Sequence, residues 1–572
     1  MKSIRVGVGV FMTALITMPA FAGLLTGTIK DASSLPMKGV LVRLTDEVSG
    51  ISECVYSNAQ GKYTLATRLE GELKLRLRTP YYRDAHATVT LAAQSQIQKD
   101  LVMEAMTGDL EISDSLPAAY HFGSLTFETG RDASFSRLQF QRDCLSCHQI
   151  GNSFTRIPRT PETWAISIER MHRYLGNFDM KLRDTRSVIL SEGFAGKPLT
   201  VRPEFPLDDS LSHTKIYEYR LEKAYVPHDA IYNPNDGLIY TVDQGLDHMA
   251  ITDPATGQTE YVAQADGEAM AYRAGVTENN HVLGEFEPGG KHGPHSLDLG
   301  LDGKYYVTNT ASRSIGVFNT ATREWEASHR MNPETKARYP HTIRIDSKGI
   351  AWFTLTGSEQ VGRLDPETGK FNILNLPKRK PQGIAGTTQP YGIDINPTDG
   401  SVWYGRLFAD VIGRIDPDSL EISEFDSPIS GPRRMRFDKN GVLWVAGYSE
   451  GKLLRIETEG FKTKVYSMPE FAPGYRPAPY ALGIHPKTQE IWINENMTDR
   501  MYRFIPDEER FVVYPIPLRG TYTRDMTFDD DGRIITSNNP LPTPALEGGV
   551  LEIICIDPYY DADKEAKLVL NR

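Results

Sequence analysis

A short element returns along the C-terminal two-thirds of the chain, and its spacing limits the architecture more than anything else. It opens with Pro and a polar residue, alternates apolar positions, turns at Asp-Gly or a similar pair, and continues into an apolar strand that often carries Trp. It ends on Gly-Arg-apolar-Asp-Pro. Copies begin at Pro227-His228, Pro294-His295, Pro340-His341, Pro390-Tyr391, Pro432-Arg433 and Pro479-Tyr480, with a degenerate seventh at Thr523-Arg524. The second residues lie 67, 46, 50, 42, 47 and 44 positions apart. Four-stranded propeller blades take about 40–50 residues each, so only the first copy carries a large insertion. One such unit cannot bury both faces alone, whereas a closed ring of them removes the exposed edges. A long solenoid is the alternative.

Strand counting supports closure. The seven copies supply three inner strands each, the last being Gly549 to Ile554. Outer strands are predicted at Thr259 to Ala263, Glu324 to Ala327, Lys370 to Leu374, Leu420 to Phe425, Lys462 to Tyr466 and Arg510 to Tyr514. That leaves the last blade one strand short. Lys215 to Leu221 has the right alternation just before the first copy, and is predicted to close the ring by pairing with its end. The expected fold is mainly β: an N-terminal β-sandwich, a small α-helical segment around Cys144-Leu-Ser-Cys147-His148, a pattern that suits a cytochrome c segment, and a C-terminal seven-bladed β-propeller.

The remaining boundaries follow from composition and pattern. Residues 1–22 read as a signal peptide: Lys2 and Arg5, an apolar run from Val6 to Met18, then Ala20-Phe21-Ala22 before Gly23. Residues 23–106 show short alternating strands at Gly27 to Ile29, Val40 to Leu44, Lys62 to Leu65 and Leu73 to Leu77, the pattern of a small sandwich. Residues 107–208 form the cytochrome segment, 209–556 the propeller and 557–572 a tail. A net charge of -11 argues against sequence-independent nucleic-acid binding, which needs a basic face. No stretch after the leader approaches the roughly 20 apolar residues of a membrane span.

Cys144-Leu-Ser-Cys147-His148 is the attachment pattern of a c-type haem. The two thiols add to the haem vinyl groups, and the adjacent His148 then lies under the iron. A redox dithiol would want a thioredoxin-like βαβ pattern and a zinc site further Cys or His nearby; neither is present. Thr160-Pro161-Glu162 reads as an N-cap, a Pro at the first helical position and an acidic first turn, opening a helix that runs to about Tyr174. Trp164 to Met171 resembles the helix that follows the haem motif in several small bacterial c-type domains. That resemblance implies Met171 as the sixth ligand, with His172 and Met180 as rivals, and His/Met ligation would raise the potential. Cys54 and Cys555 are either a bridge or buried thiols.

Equivalent positions of a propeller converge on one mouth of its channel. The repeat places His228, His295, His341, Tyr391, Arg433, Tyr480 and Arg524 at one such ring. A second ring reads Asp243, Asn309, Leu355, Arg406, Gly447, Glu495 and Asn538. Three imidazoles on neighbouring blades could bind an additional metal ion or exchange protons with a substrate. A Pro-His pair also recurs simply because its turn suits the fold. Asp529-Asp530-Asp531-Gly532 has a calcium-like look but suits a solvated hairpin.

Two family resemblances rest on these residues. Gly27-Thr-Ile-Lys-Asp31, Gly39-Val-Leu-Val-Arg-Leu44 and Gly61-Lys-Tyr-Thr-Leu65 resemble the carboxypeptidase-regulatory-like domains, which implies a docking or support module. Tyr339-Pro-His-Thr-Ile343 with Ala351-Trp-Phe-Thr354 and Val361-Gly-Arg-Leu-Asp365 resembles the virginiamycin B (streptogramin) lyase family of seven-bladed propellers. That family uses two successive Pro-His copies plus two carboxylates that hold magnesium and help remove a proton. Pairing His228 with His295 finds Gly293 and Asn309 at the carboxylate positions; pairing His295 with His341 finds Tyr339 and Leu355. Both acids are missing in either register.

The expectation is therefore a periplasmic oxidoreductase. A small organic substrate is oxidised at the mouth, and electrons pass through one covalent haem c to a soluble or membrane cytochrome. The alternatives are an electron-transfer or partner-docking protein without its own catalysis, and a lyase with an accessory haem.

Overall fold

The computed structural model of the protein describes residues 23–127, 137–146, 148–174, 179–264, 292–382, 386–470, 472, 474–540, 547–549 and 551–570. The leader at 1–22, Cys147 and most of the insertion after the first repeat lie outside the described residues.

Each repeat folds as an antiparallel sheet. Six four-stranded sheets occupy residues 227–263, 294–330, 340–375, 390–426, 432–467 and 479–515. Their first strands touch in chain order, from Pro227–Asn233 through Pro479–Ile484 to Thr523–Phe528, and Thr523–Phe528 returns to Pro227–Asn233. The circuit of a propeller-like fold is complete. The predicted outer strands fall where expected, except that the fourth begins at Ile422. Leu420 has φ +61°, a left-handed conformation that no strand interior accommodates.

The seventh sheet is assembled from both ends of this region. Thr523–Phe528, Ile534–Asn538 and Glu552–Asp557 are completed by Lys215–Arg220, which lies antiparallel to Glu552–Asp557 with Ile554 opposite Glu218. Lys215–Arg220 also pairs on its other edge, with Ile51–Tyr56 of the N-terminal region. Two expected units thus share one eight-stranded sheet that runs from Thr523–Phe528 to Ala85–Leu91. The second layer of the N-terminal sandwich is Lys62–Thr67, Gly23–Asp31 and Ser95–Gln98, with Leu101–Met103 also paired to Gly23–Asp31.

Alternation on Lys215–Arg220 explains the state of the two remote cysteines. Cys54 lies opposite Ile216 and Cys555 opposite Tyr217. Consecutive residues of a strand face opposite sides, so the two thiols enter different cores, one with Ile216 and Trp492, the other with Tyr217 and Ala250. Both are buried and neither is bridged.

Six helices complete the described residues: α1 (Asp109–Ser115), α2 (Ala118–Gly123), α3 (Arg137–Cys144), α4 (Pro161–Tyr174), α5 (Met180–Gly193) and α6 (Ala562–Leu570). α4 starts at Pro161, and Thr160 Oγ1 accepts from the Thr163 amide at 3.3 Å. The helical segment shares its core with the ring: Phe140, Trp164, Ile168 and Leu190 pack in one cluster with Tyr391, Leu407, Phe408 and Tyr448. α6, within the segment read as a tail, packs Ala566 on Leu24 and Ala66 of the sandwich. Among the described residues no helix is long and apolar enough to cross a membrane.

Candidate functional site

A β-bulge carries every predicted mouth residue. In each of the seven sheets the register of the first strand breaks just after the opening Pro or Thr, at His228, His295, His341, Tyr391, Arg433, Tyr480 and Arg524. Pro offers no N–H to the ladder, and the bulge that follows re-aims the next side chain. The preceding residue is left-handed in several copies: Gly293 and Gly431 adopt it freely, while Tyr339 (φ +55°) and Gln389 (φ +47°) adopt it at a cost of about 1 kcal/mol or more.

Neighbouring members of this set touch in order from His228 to Arg524. Centroids of His228 and His295 are 3.6 Å apart, those of His295 and His341 4.1 Å, and those of His341 and Tyr391 4.0 Å. The Arg433 guanidinium lies 4.5 Å from the Tyr391 ring and 4.1 Å from the Tyr480 ring, and donates to the Tyr391 hydroxyl at 2.6 Å. Arg524 donates to the Tyr480 hydroxyl at 3.2 Å. The three imidazoles lie in a row, with neighbouring rings tilted by 34° and 46°. Burial holds His228 down to about 4 and the other two well below their ordinary value, so all three are neutral at pH 7. Among the described residues no group of three or more His, Cys, Asp and Glu side chains is arranged to hold a metal ion.

The second predicted ring has a different role. Each of its members lies opposite the opening Pro or Thr of its own sheet, Asp243 opposite Pro227 and Glu495 opposite Pro479 for example. The Asp243 carboxylate accepts from the amides of Tyr225, Val226, Gly245 and Leu246 at 2.6–3.1 Å. Arg406 is enclosed by Thr388, Glu359 and Glu424. Asp243 and Arg406 thus hold neighbouring loops in place. Asn309 bonds Ser314 at 3.1 Å and Leu355 is apolar, so the strand-end carboxylate that the resemblance implies has no acidic counterpart in either register.

Sequence reasoning missed the residues that lock the ring. The Ser537 hydroxyl donates to the His228 carbonyl, joining the last sheet to the first. Thr308 does the same for His341 at 2.7 Å, Thr354 for Tyr391 at 2.8 Å, and Asn494 for Arg524. Their signal was a polar residue in the midst of a buried apolar strand. One layer down, Arg434 bonds both Asp229 and Asp525, and Arg344 and Arg436 also reach Asp525.

The backbone of Leu145 and Ser146 lies against this mouth. Tyr522 donates to the Leu145 carbonyl at 2.7 Å, Tyr448 donates to the same oxygen, and Arg433 donates to the Ser146 carbonyl at 3.3 Å. Gln141 donates to the Tyr448 carbonyl at 3.0 Å, and Gln149 to Asp499 and the Thr521 carbonyl at 3.1 and 2.8 Å.

His148 fits an axial ligand. Its Nδ1 is hydrogen-bonded to the Gln149 carbonyl at 2.8 Å, so that Nε2 would be the nitrogen available to an iron, and burial lowers its pKa, which favours the neutral ring. Cys144 is half-buried at the end of α3. The positive charge of Arg170, on α4, adds to burial in lowering the His148 pKa. Among the sixth-ligand candidates, Met171 is half-buried and Met180 is 50% exposed. His172 is held by Arg186, whose Nη1 lies 2.8 Å from His172 Nε2 and whose Nη2 pairs with Asp143 at 2.5 Å.

Comparisons with known proteins bear on the fold. The virginiamycin B lyase family matches residues 283–470, and the carboxypeptidase regulatory-like domain matches residues 25–104. Virginiamycin B lyase from Staphylococcus aureus is 19% identical, with a TM-score of 0.46 over 60% of this chain and 99% of that one. A streptogramin B lyase structure is 18% identical, with a TM-score of 0.47 over 60% and 98%. Kuenenia stuttgartiensis hydrazine synthase is 14% identical, with a TM-score of 0.42 over 57% and 95%. No curated protein sequence matches the chain. The chain therefore carries a virginiamycin B lyase-like domain of propeller-like fold behind a carboxypeptidase regulatory-like domain.

Proposed function

We propose that the protein is a periplasmic oxidoreductase in which a seven-bladed propeller binds a small organic substrate at its mouth and a c-type cytochrome segment takes the electrons. The observation that carries this reading is the docking of the Cys144–His148 loop on the mouth ring, through Leu145 to Tyr448 and Tyr522 and through Ser146 to Arg433. A haem c held by Cys144, Cys147 and His148, with Met171 as sixth ligand, would supply a one-electron acceptor there. Its thioether bonds belong to an exported chain, which agrees with a leader at residues 1–22.

The chain's own residues would do the rest. Arg433 and Arg524 provide positive charge and hydrogen-bond donors at the mouth. Neutral His228, His295 and His341 are available to accept a proton as substrate is oxidised. The ring excludes water, since all seven side chains are buried. Electrons then leave for a soluble or membrane cytochrome.

The test is anaerobic reduction of the purified, haem-loaded protein by a pool of small organic compounds, followed with the H228A/H295A/H341A variant. Reduction that is lost in the variant supports catalysis at the mouth. No reduction by any pool, with haem intact, rejects the oxidoreductase reading. Reduction unaffected by the variant makes the ring a scaffold for an electron-transfer or docking protein. Turnover that persists after both haem cysteines are removed would instead favour the lyase-like reading.

A further inference from the structure

Two guanidiniums at the mouth, Arg433 and Arg524, lack among the described residues the counter-charge that Arg434 beside them possesses. Arg433 is fully buried. Its Nη2 reaches Tyr391 and the Ser146 carbonyl, but Nε and Nη1 have no hydrogen-bond partner. Among the described residues no carboxylate pairs with Arg433 or with its neighbour Arg524, whereas Arg434, one position deeper in the channel, holds two. Aromatic rings of Tyr391, Tyr448 and Tyr480 surround Arg433 at 4.1–4.5 Å. Cation–π contact compensates only part of the cost of a buried charge, and two unpaired donors add to that cost.

From this imbalance we infer that Arg433, assisted by Arg524, is the seat of a carboxylate at the mouth of the ring. Nε and Nη1 are the two donors left open; they lie on opposite edges of the guanidinium, so a carboxylate oxygen can accept from either of them. The surroundings agree. His228, His295 and His341 add no charge, and burial of Tyr480 is outweighed by Arg524, Arg434 and Arg433, which pull its phenol down to about 8. In the absence of a ligand, Tyr480 is thus the ring member closest to supplying a negative charge. This inference rests on the mouth being a binding site and names the chemistry of what it binds. The carboxylate has two sources, an organic acid entering the mouth or a propionate of a haem held by the adjacent loop.

Titration calorimetry of the full haem-loaded chain with acetate and benzoate, against acetamide and benzamide, distinguishes them. For an organic acid, the carboxylates bind and the amides do not. R433Q then weakens binding on the order of 10–100-fold, R433K less, and the haem midpoint potential is unchanged. For a propionate, no added carboxylate binds, and R433Q alters the pH dependence of the midpoint potential while R433K restores it. The inference is overturned if, in R433Q folded as judged by circular dichroism, neither quantity changes. The same titration on C144A/C147A, which cannot attach haem, separates the two ideas: carboxylate binding that survives there supports the seat whatever becomes of the redox reading.

Discussion

The Tyr522 hydroxyl donates to the Leu145 carbonyl across 2.7 Å, and the Tyr448 hydroxyl donates to that same oxygen. Both tyrosines belong to the propeller-like ring, and Leu145 stands between the cysteines of the Cys-Leu-Ser-Cys-His motif. The backbone of that motif is thereby registered to the mouth, and Tyr522 and Tyr448 are fully buried. The two hydroxyls share one acceptor, so both must be removed before that carbonyl loses its tyrosine donors.

The double variant Y448F/Y522F should therefore loosen the helical segment without unfolding the ring. A buried hydrogen bond contributes about 1 kcal/mol, and an unsatisfied carbonyl costs about 1–3 kcal/mol. The expected outcome is faster proteolytic cleavage within residues 107–208 at unchanged protection of the ring. Equal cleavage rates in the variant and the parent would show that the contact contributes nothing.

Lys215 and Glu53 form an ion pair of 2.8 Å with both side chains wholly buried. Lys215 opens the strand that completes the seventh sheet, and Glu53 belongs to the sandwich strand beside it. Breaking such a pair leaves an uncompensated charge and costs about 3–5 kcal/mol. K215M should lower stability to denaturant by about that amount, with E53Q/K215M recovering much of it. Because the pair bridges the shared sheet, the sandwich and ring should lose stability together, measured by probes in each.

Glu495 supplies a pH dependence. Burial raises its pKa from 4.5 to about 7, against the amides of Ala478, Met497 and Thr498 that favour the anion. A folded pKa above the unfolded value means the folded state binds the proton more tightly. Its contribution to stability is full below about pH 4.5 and is lost as pH rises through 7. The span is about 3 kcal/mol. E495Q should remove that slope between pH 4.5 and 7, measured by urea unfolding at a series of pH values; an unchanged slope would assign it elsewhere.

Ligation by Met171 predicts a specific spectral change. M171A should abolish the methionine-to-iron charge-transfer band of the oxidised protein and lower the haem potential, while M180A leaves both alone. The Arg186–His172 contact makes H172A a perturbation of packing, so its spectrum should retain the band. Loss of the band in H172A or M180A, with M171A unaffected, would reassign the ligand.

The architecture was legible because repeats impose it. Seven copies of a Pro-led strand, plus one orphan strand at Lys215, foretold a ring closed by joining its ends, and that strand lies where it was expected. What the spacing could not convey was the other edge of Lys215–Arg220. Alternation reports which faces are buried and says nothing of what pairs laterally, so the fusion with Ile51–Tyr56 was invisible. The mouth ring was legible for the same reason as the fold, each member following a Pro at one register. The second ring was read by position alone, since a polar residue at a strand end looks alike whether it meets a ligand or caps a loop; Asp243 and Glu495 accept from loop amides. Tyr448 and Tyr522 escaped notice because they lie outside the repeat's alternating positions, and only the placement of the helical segment gives their hydroxyls a partner.

The most direct measurement is the absorption spectrum of the chain matured in the periplasm, taken together with its intact mass after denaturation. Mass increased by one haem, a c-type spectrum, and loss of both in C144A/C147A are the predicted result. A colourless chain of unmodified mass, from cells competent to attach haem to other proteins, would contradict the account.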